Sequence, residues 1–298
     1  KMFYFLAPLR HPNNASNYKQ VLGQLELTIR SVCAQKTQHP YKFLVVCNEA
    51  PDISYDSEKV EFLVVDFPPA GTGRGTEQQL TEVMTDKGAK VAAGLLHLKE
   101  ERPERIFLMD ADDWVNNTVV QHVMSNLQVK FWYANKGLLV NAGTGTYVRK
   151  YGVCRYCGST FIYDYESLLA WMPQSTSISS KTSKDRLTAS IDPFYLQKIL
   201  GNHRHQFGFL AKHEQSIKPL PQTAVAWIVN TGENHSGTRG APVGLPLTDD
   251  VLMGFGLDDT LMTVSVEPAT VLERLASAKL SLESRVGWAL TDKSGTKV

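Results

Sequence analysis

The sequence has no excess charge of one sign and no long apolar run. Its 298 residues carry 31 lysines and arginines against 30 aspartates and glutamates, a formal net charge of +1. A nucleic-acid-binding protein usually shows a basic excess or stripe, so we do not expect nucleic acid as a partner. The longest apolar runs, such as 62–65 and 106–109, are strand-sized, whereas a transmembrane helix needs roughly 20 apolar residues.

Cysteine is also scarce, with four in the chain. Cys154 and Cys157 form a C-x-x-C pair, but Cys33 and Cys47 lie far from it, so neither a disulfide framework nor a four-ligand zinc site is indicated. Residues 2–9 are too short for the apolar core and flanks of a secretory signal peptide. We therefore expect reduced thiols and a cytoplasmic location, which is compatible with peripheral contact at the inner face of a membrane.

The first 113 residues alternate between strand-like and helical patterns. Strands are predicted at 2–7, 42–47, 60–65 and 106–109, and helices from Ser16 and at 87–101. Nearly continuous apolar strands are expected where helices cover both faces of a parallel sheet. The pattern predicts an α/β fold with a mainly parallel sheet, in which ligands bind beyond the carboxyl ends of the strands.

The pattern after residue 113 is less regular. Residues 119–129 and 267–284 are predicted as helices, and 137–148, 151–163 and 224–229 as strands.

Three carboxylates, Asp110, Asp112 and Asp113, follow the fourth predicted strand. Carboxylates gathered at a buried strand end repel one another, and a divalent cation would offset that repulsion. Mg²⁺ and Mn²⁺ prefer oxygen ligands, often one or two carboxylates together with substrate phosphates. The alternative is an acidic turn that caps the following helix and binds nothing.

Residues 86–115, DKGAKVAAGLLHLKEERPERIFLMDADDWV, resemble the central block of GT-A glycosyltransferases, especially the inverting family 2. In that family a Gly/Lys/Ala-rich helix leads to a strand that ends in a D-x-D motif, often D-A-D-D. Residues 24–46 resemble the same family's first helix and second strand. The resemblance implies a GT-A domain over 1–245, with a nucleotide-sugar-binding half (1–115) and an acceptor half (116–245), and a C-terminal helical extension over 246–298.

The resemblance also implies an activity. It is the metal-dependent transfer of a sugar from a UDP-, GDP- or dTDP-sugar to an acceptor hydroxyl, with inversion, in glycan or polysaccharide biosynthesis. The acceptor would be a carbohydrate or a lipid-linked glycan. Asp112 would ligate Mn²⁺ or Mg²⁺, Asp113 would assist, and Asp110 would contact the donor's ribose or the metal shell. Lys87 and Lys90 could meet the diphosphate, although each could equally be a solvated surface charge.

Two further donor contacts and a third metal ligand follow from the same resemblance. Asn48 and Glu49 stand where many relatives have an acidic pair that reads the nucleotide base, and Asp66 is the alternative base contact. Asn48 departs from the usual acid. His235 follows the predicted strand 224–229, where many GT-A enzymes supply a late histidine to the metal, a ligand that suits Mn²⁺ better than Mg²⁺. The alternative for His235 is a surface loop histidine.

An inverting enzyme needs a general base for the acceptor's proton. The family places an aspartate near the start of an acceptor-side helix, and Asp192 fits that place, although Ile191 replaces the usual preceding glutamate. Asp192 followed by Pro193 is also typical of a plain helix N-cap, and both roles stay open. For His203 and His205 we expect an exposed or acceptor-side polar loop, because no carboxylate lies near them in the sequence.

Two other functions compete with glycosyl transfer. A sugar-phosphate nucleotidyltransferase shares the layered architecture but usually carries a Gly-rich basic signature after its first strand, where residues 8–12 here are PLRHP. A non-catalytic carbohydrate-binding relative would keep the fold without turnover, and the intact Asp110, Asp112 and His235 count against it.

Overall fold

The computed structural model describes residues 1–71, 76–172, 178–233, 244–258 and 269–292. The strands in these ranges are β1 (Phe3–Pro8), β2 (Tyr41–Cys47), β3 (Val60–Val64), β4 (Arg105–Leu108), β5 (Trp114–Val115), β6 (Trp132–Tyr133), β7 (Lys136–Asn141), β8 (Thr146–Tyr151), β9 (Phe161–Asp164), β10 (Lys218–Pro219), β11 (Thr223–Val229) and β12 (Leu245–Pro246). The α-helices are α1 (Tyr18–Cys33), α2 (Glu77–His97), α3 (Val119–Met124), α4 (Tyr165–Ala170), α5 (Lys184–Ser190), α6 (Gln206–Lys212), α7 (Asp249–Met253) and α8 (Val271–Asp292), and a π-helix spans Tyr195–Leu200.

A seven-stranded sheet in the order β10-β6-β9-β4-β1-β2-β3 forms the centre of the fold. Strands β3, β2, β1 and β4 run parallel, and β9 is antiparallel to both β4 and β6. A second sheet has the order β12-β8-β7-β11-β5. The predicted α/β fold with a mainly parallel central sheet is confirmed. Because β6, β9 and β10 continue the sheet beyond β4, strands from both sides of the predicted 115/116 boundary share it.

Helices cover both faces of the central sheet, as the apolar strands predicted. Tyr4 and Leu6 pack with α2 on one face, whereas Phe5 and Ala7 pack with α1 and α3 on the other. This alternation follows from the two-residue period of a strand. Every strand residue from Phe3 to Ala7 is fully buried.

The helix predicted from Ser16 begins at Tyr18, whereas the helix predicted at 87–101 begins ten residues earlier, at Glu77, and ends at His97. Asn17 accepts a hydrogen bond from the Gln20 amide to cap α1, and Thr76 accepts one from the Gln79 amide to cap α2. The predicted strand 151–163 is wrong for most of its length. Gly152 has φ +66°, a 3₁₀ turn covers Val153–Arg155, and only the end of the segment enters β9.

The predicted C-terminal helix is confirmed and is longer than expected, since α8 extends to Asp292. The predicted residues 267 and 268 lie outside the described part of the chain. Among the described residues, no helix combines the length and apolarity needed to cross a membrane.

Gly88 allows α2 to pack closely against the π-helix. A Cβ at Gly88 would overlap the Leu196 carbonyl oxygen and lie 2.9 Å from its carbonyl carbon. We expect Gly88→Ala to lower the free energy of unfolding by about 1–3 kcal/mol, because backbone must move to relieve the overlap.

Gly23→Ala in α1 is the matched control, since a Cβ there meets nothing within 4 Å. It should be neutral or stabilising by up to about 1 kcal/mol. Urea unfolding of both variants measures the difference, and equal stabilities would contradict the close packing at Gly88.

Candidate functional site

Asp110, Asp112 and Asp113 lie just beyond the carboxyl end of β4, at the edge of the sheet where α/β folds bind ligands. One carboxylate oxygen from each lies within 4.8 Å of the others. The turn that carries them is held by a hydrogen bond from the Met109 amide to the Leu6 carbonyl, and by one from the Asp110 amide to Ser159 Oγ. The sequence therefore predicted both the cluster and its position in the sheet.

Asp113 is the buried member of the cluster, at 1% exposure. Its Oδ2 accepts from Ser159 Oγ at 2.6 Å and Cys157 Sγ at 3.2 Å, and its Oδ1 accepts from the Ile228 amide at 3.0 Å. Burial, followed by the charges of Asp112 and Asp110, raises the pKa of Asp113 well above its usual range. Asp113 thus connects the acidic turn to β11 and to the loop that precedes β9.

Asp110 forms an ion pair with Lys87, which reaches it from α2. Burial raises the pKa of Asp110, but the ammonium charge and hydrogen bond of Lys87, with a contribution from His203, outweigh burial and hold it below the usual value. A Cβ at Gly158 would overlap Asp110 Oδ2 and lie 3.0 Å from Lys87 Nζ. The absence of a side chain at Gly158 therefore allows the backbone to approach this ion pair closely.

The ionised form of Asp112 is also disfavoured. Burial and the negative charge of Asp110 raise its pKa to about 6, against the smaller opposing effects of Arg10 and Lys87. Arg10 is shared with Glu233, whose Oε2 lies 2.8 Å from Arg10 Nη1. Three close carboxylates whose charge is only partly offset by Lys87 and Arg10 are a donor set that a hard divalent cation would complete, so Mg²⁺ or Mn²⁺ fits these residues.

Lys90 lies on α2 one turn from Lys87, but the structure places it in the interior. Its Nζ donates to the Leu9 carbonyl at 2.8 Å and lies 3.0 Å from Asp86 Oδ2, while Lys184 Nζ lies 2.6 Å from Asp86 Oδ1. Lys90 thus fixes the segment that leaves β1. The i,i+4 spacing of Asp86 and Lys90 among buried alanines was a signal for this pairing.

Asn48 lies at the carboxyl end of β2. Its Nδ2 donates to the carbonyls of Val65 and Phe67, at 3.2 and 2.8 Å, which fixes the orientation of the amide. The Oδ1 is buried and has no hydrogen-bond partner among the described residues. Glu49 and Asp66 are both exposed. An orphaned buried acceptor is costly, so Asn48 Oδ1 is a candidate acceptor for a donor from a ligand.

Asp192 lies away from the carboxylate cluster. It accepts from the Tyr195 amide at 2.9 Å, as an N-cap does, and the π-helix follows it. Gly201, beyond the other end of the π-helix, approaches the Met84 carbonyl, whereas Leu196 approaches Gly88. The π-helix therefore runs antiparallel to α2. Asp192 precedes the first turn of this helix, and it lies on the order of 10 Å along the helix axis from the end that leads to His203.

Asp192 instead borders an open pocket of about 460 Å³ with several aromatic walls. The other residues around this pocket are Trp171, Phe194, Tyr195, Gly208, Phe209, Lys212 and His213.

His203 is the site residue that sequence reasoning missed. Its Nε2 lies 3.1 Å from the Arg155 carbonyl, and because a carbonyl only accepts, Nε2 carries the proton and Nδ1 is left as an acceptor. Burial and the Lys87 ammonium lower the pKa of His203 to about 4, so the ring is neutral at pH 7. His203 and Lys87 line one small cavity of about 20 Å³. No carboxylate is close to His203 in the sequence, but in the fold the charge of Asp110 acts on it.

His235 lies outside the described residues, but the segment that leads to it is described. Glu233 accepts from the amides of Ser16 and Asn17 at 3.2 and 2.6 Å, in addition to its pairing with Arg10. Gln20 also donates to the Thr231 carbonyl. These hydrogen bonds hold the loop that follows β11 against the start of α1, at the same edge of the central sheet as Asp112.

Comparisons with known proteins add little to this geometry. No family model matches the chain, and no curated protein matches it. Among solved structures it is similar to two of TarS from S. aureus, at 13% and 11% identity with TM-scores of 0.36. These matches cover 76% and 77% of this chain, and the chain spans only 60% and 37% of the two TarS chains.

A further similar structure is the 4-diphosphocytidyl-2C-methyl-D-erythritolsynthase from Anaerococcus prevotii DSM 20548, at 11% identity and a TM-score of 0.35. That match covers 86% of this chain and 95% of the other. Likeness this weak carries no argument about activity.

Proposed function

We propose that the chain is a metal-dependent glycosyltransferase of the GT-A type, which transfers a sugar from a nucleoside-diphosphate sugar to an acceptor hydroxyl with inversion. The observation that carries the proposal is the convergence of Asp110, Asp112 and Asp113 beyond the carboxyl end of β4, with Lys87 beside them. An acidic turn that served only to cap α3 would not need a partly buried lysine pairing with its first carboxylate.

The three carboxylates have different roles in this proposal. Asp112 is the direct metal ligand, and Asp110 faces the same ion while Lys87 fixes its orientation. Asp113 stabilises the acidic turn, because its two carboxylate oxygens already accept hydrogen bonds from three other residues. Bound Mn²⁺ or Mg²⁺ would supply a Lewis acid that stabilises the leaving nucleoside diphosphate.

Asn48 supports nucleotide recognition at the neighbouring strand end. Its orphaned Oδ1 can accept a hydrogen bond from a base N–H, while two backbone carbonyls hold its Nδ2. A ring N–H or an exocyclic amine of a base can meet this requirement, so Asn48 can contact a base without selecting which one. The proposal keeps UDP-, GDP- and dTDP-sugars as the donors because the resemblance of residues 86–115 implies them. Glu49 and Asp66 stay available as exposed contacts to the same base or its ribose.

Two histidines and one aspartate have the remaining roles in the proposal. His203 presents its Nδ1 acceptor beside Lys87, which suits it to position that lysine or a substrate hydroxyl. His235 is proposed as the late metal ligand, and Asp192 as the general base. Asp192 also accepts a hydrogen bond from the Tyr195 amide, as a helix cap does.

Thermal unfolding with nucleotides tests the function directly. With UDP, dTDP, GDP, CMP or ATP, each with and without Mn²⁺, we expect one nucleoside diphosphate to raise the unfolding midpoint only when Mn²⁺ is present. A ligand at about 100 times its Kd adds about 2.7 kcal/mol to stability, enough for a clear shift.

Two results would count against the proposal. No shift with any nucleotide would favour a metal-independent carbohydrate-binding protein. Consumption of a nucleoside triphosphate with a sugar phosphate would instead identify a nucleotidyltransferase.

A further inference from the structure

The outward face of α8 is largely apolar and is interrupted by the exposed Lys279. At 100° per residue, six large apolar side chains share one stripe on the helix, three on each side of Lys279, and their exposures range from 48% to 79%. They are Val271, Leu272, Leu275, Leu282, Val286 and Leu290. Single exposed apolar residues are ordinary, but six on one face of a helix mark an interaction surface.

The opposite face of α8 is already used within the protein. Ser277 is buried, Ser284 Oγ accepts from the Tyr151 amide, and the Trp288 ring packs against Gly152 and under the Arg155 guanidinium. The helix is therefore fixed on β8 by its polar and aromatic side, and this docking orients the apolar stripe outward.

The charges of α8 argue against a membrane as the occupant of the stripe. Three basic residues, Arg274, Lys279 and Arg285, are balanced by three acidic ones, Glu273, Glu283 and Asp292. Helices that lie on anionic lipid are rich in lysine and arginine on their polar face, and α8 has no such excess. Ser277 and Trp288 face the protein, whereas Arg274 and Arg285 are exposed.

When two copies of α8 pair antiparallel, the apolar stripe and the charges beside it on one copy match those on the other copy. Lys279 lies within the stripe and Glu283 lies at its edge, and within the chain Lys279 Nζ is 3.9 Å from Glu283 Oε1. If two copies of α8 pair antiparallel about a two-fold axis at Ser281, Lys279 of each faces Glu283 of the other, and Leu272 faces Leu290. Leu282 of both copies then lies beside the axis. Such reciprocal contacts are what a two-fold interface requires.

We infer that α8 is a dimerisation helix, whose apolar stripe packs antiparallel against α8 of a second copy of this chain. The surface lies on the far side of α8 from β8, and none of its residues belongs to the carboxylate cluster. The inference is thus independent of the proposed function, and either can fail without the other.

Sedimentation velocity over a concentration series tests the interface. The wild-type chain should sediment as a dimer, and Leu282→Glu should raise the dimer Kd about a hundredfold or more, because each substitution acts twice beside the axis. Leu80→Glu is the matched control, since Leu80 is a 45% exposed helical leucine outside α8 and its loss should leave the dimer unchanged. Circular dichroism confirms that both variants fold.

A charge exchange between copies tests the antiparallel register. Lys279→Glu alone and Glu283→Lys alone should each weaken self-association about three- to tenfold, because like charges then meet at the interface. An equal mixture of these two variants should form a heterodimer more tightly than either variant self-associates. Intrahelical pairing cannot produce that result, since each single variant has lost its own i,i+4 pair.

Several outcomes would overturn the inference. They are a wild-type monomer at every soluble concentration, a dimer that survives Leu282→Glu, or no preference for the mixed heterodimer. Binding of the monomer to anionic vesicles that depends on Leu282 would overturn it in favour of a membrane.

Discussion

Replacing Asp112 with asparagine is expected to abolish the Mn²⁺-dependent stabilisation by nucleotide and to reduce sugar transfer by roughly a hundredfold or more. Asparagine keeps the shape of the side chain but removes the charge that a cation requires. Thermal unfolding with Mn²⁺ and the active nucleotide measures the first effect, and a donor-hydrolysis or transfer assay measures the second. Asp185→Asn is the control, because Asp185 is an exposed aspartate at the start of α5.

The same variant should fold at least as stably as the wild type when no metal is present. Burial and Asp110 raise the pKa of Asp112 to about 6, so its ionised form is disfavoured in the folded state. The stability of the metal-free wild type should therefore fall as pH rises toward about 6, and the asparagine variant should show a smaller fall, because Asp113 still contributes one. A metal-dependent shift that persists in Asp112→Asn would remove Asp112 from the proposed ligands.

Replacing Gly158 with alanine is expected to damage the site while leaving the fold almost intact. The added Cβ would overlap Asp110 Oδ2 and crowd Lys87 Nζ, and these are the ends of flexible side chains, not backbone. The Lys87–Asp110 ion pair can move aside at a small cost in stability. Asp110 is then displaced from its position beside Asp112 and Asp113. We expect at least about a tenfold loss of metal-dependent nucleotide affinity, with the unfolding free energy changed by less than about 1 kcal/mol.

Isothermal titration with the active nucleoside diphosphate and Mn²⁺ measures that loss. Gly23→Ala should bind as the wild type does, because its Cβ meets nothing within 4 Å. Wild-type affinity in Gly158→Ala would show that the Lys87–Asp110 pair plays no part in binding. A large loss of stability would instead show that the added methyl group is not accommodated by side-chain movement.

Much of the sheet could be predicted from the sequence because its determinants are local. The apolar runs of β1, β2, β3 and β4 alternate with amphipathic helices, and this is enough to predict a parallel sheet and to place the acidic turn at its carboxyl edge. Asn17 and Thr76 cap their helices with their own side chains, a contact that spans three residues. Such signals do not depend on how the rest of the chain folds.

The contacts that distinguish the members of the site are not local, and the sequence did not reveal them. Asp113 differs from Asp112 because Cys157, Ser159 and the Ile228 amide reach it from distant segments. In the same way, His203 approaches Asp110 only because the π-helix packs antiparallel to α2. Sequence patterns identified the residue types that could act here, but only the packing of later segments shows which of them face the cluster.

The ion pair between Arg10 and Glu233 joins residues 223 positions apart, and it has a consequence for the order of folding. Strands β1 to β4 can pair as soon as the first third of the chain has been synthesised. The acidic turn acquires its support only after the loop before β9 and then β11 have emerged. Contacts of such long sequence separation form late, since loop closure must precede them. During synthesis, the sheet therefore exists for some time before the site that it carries.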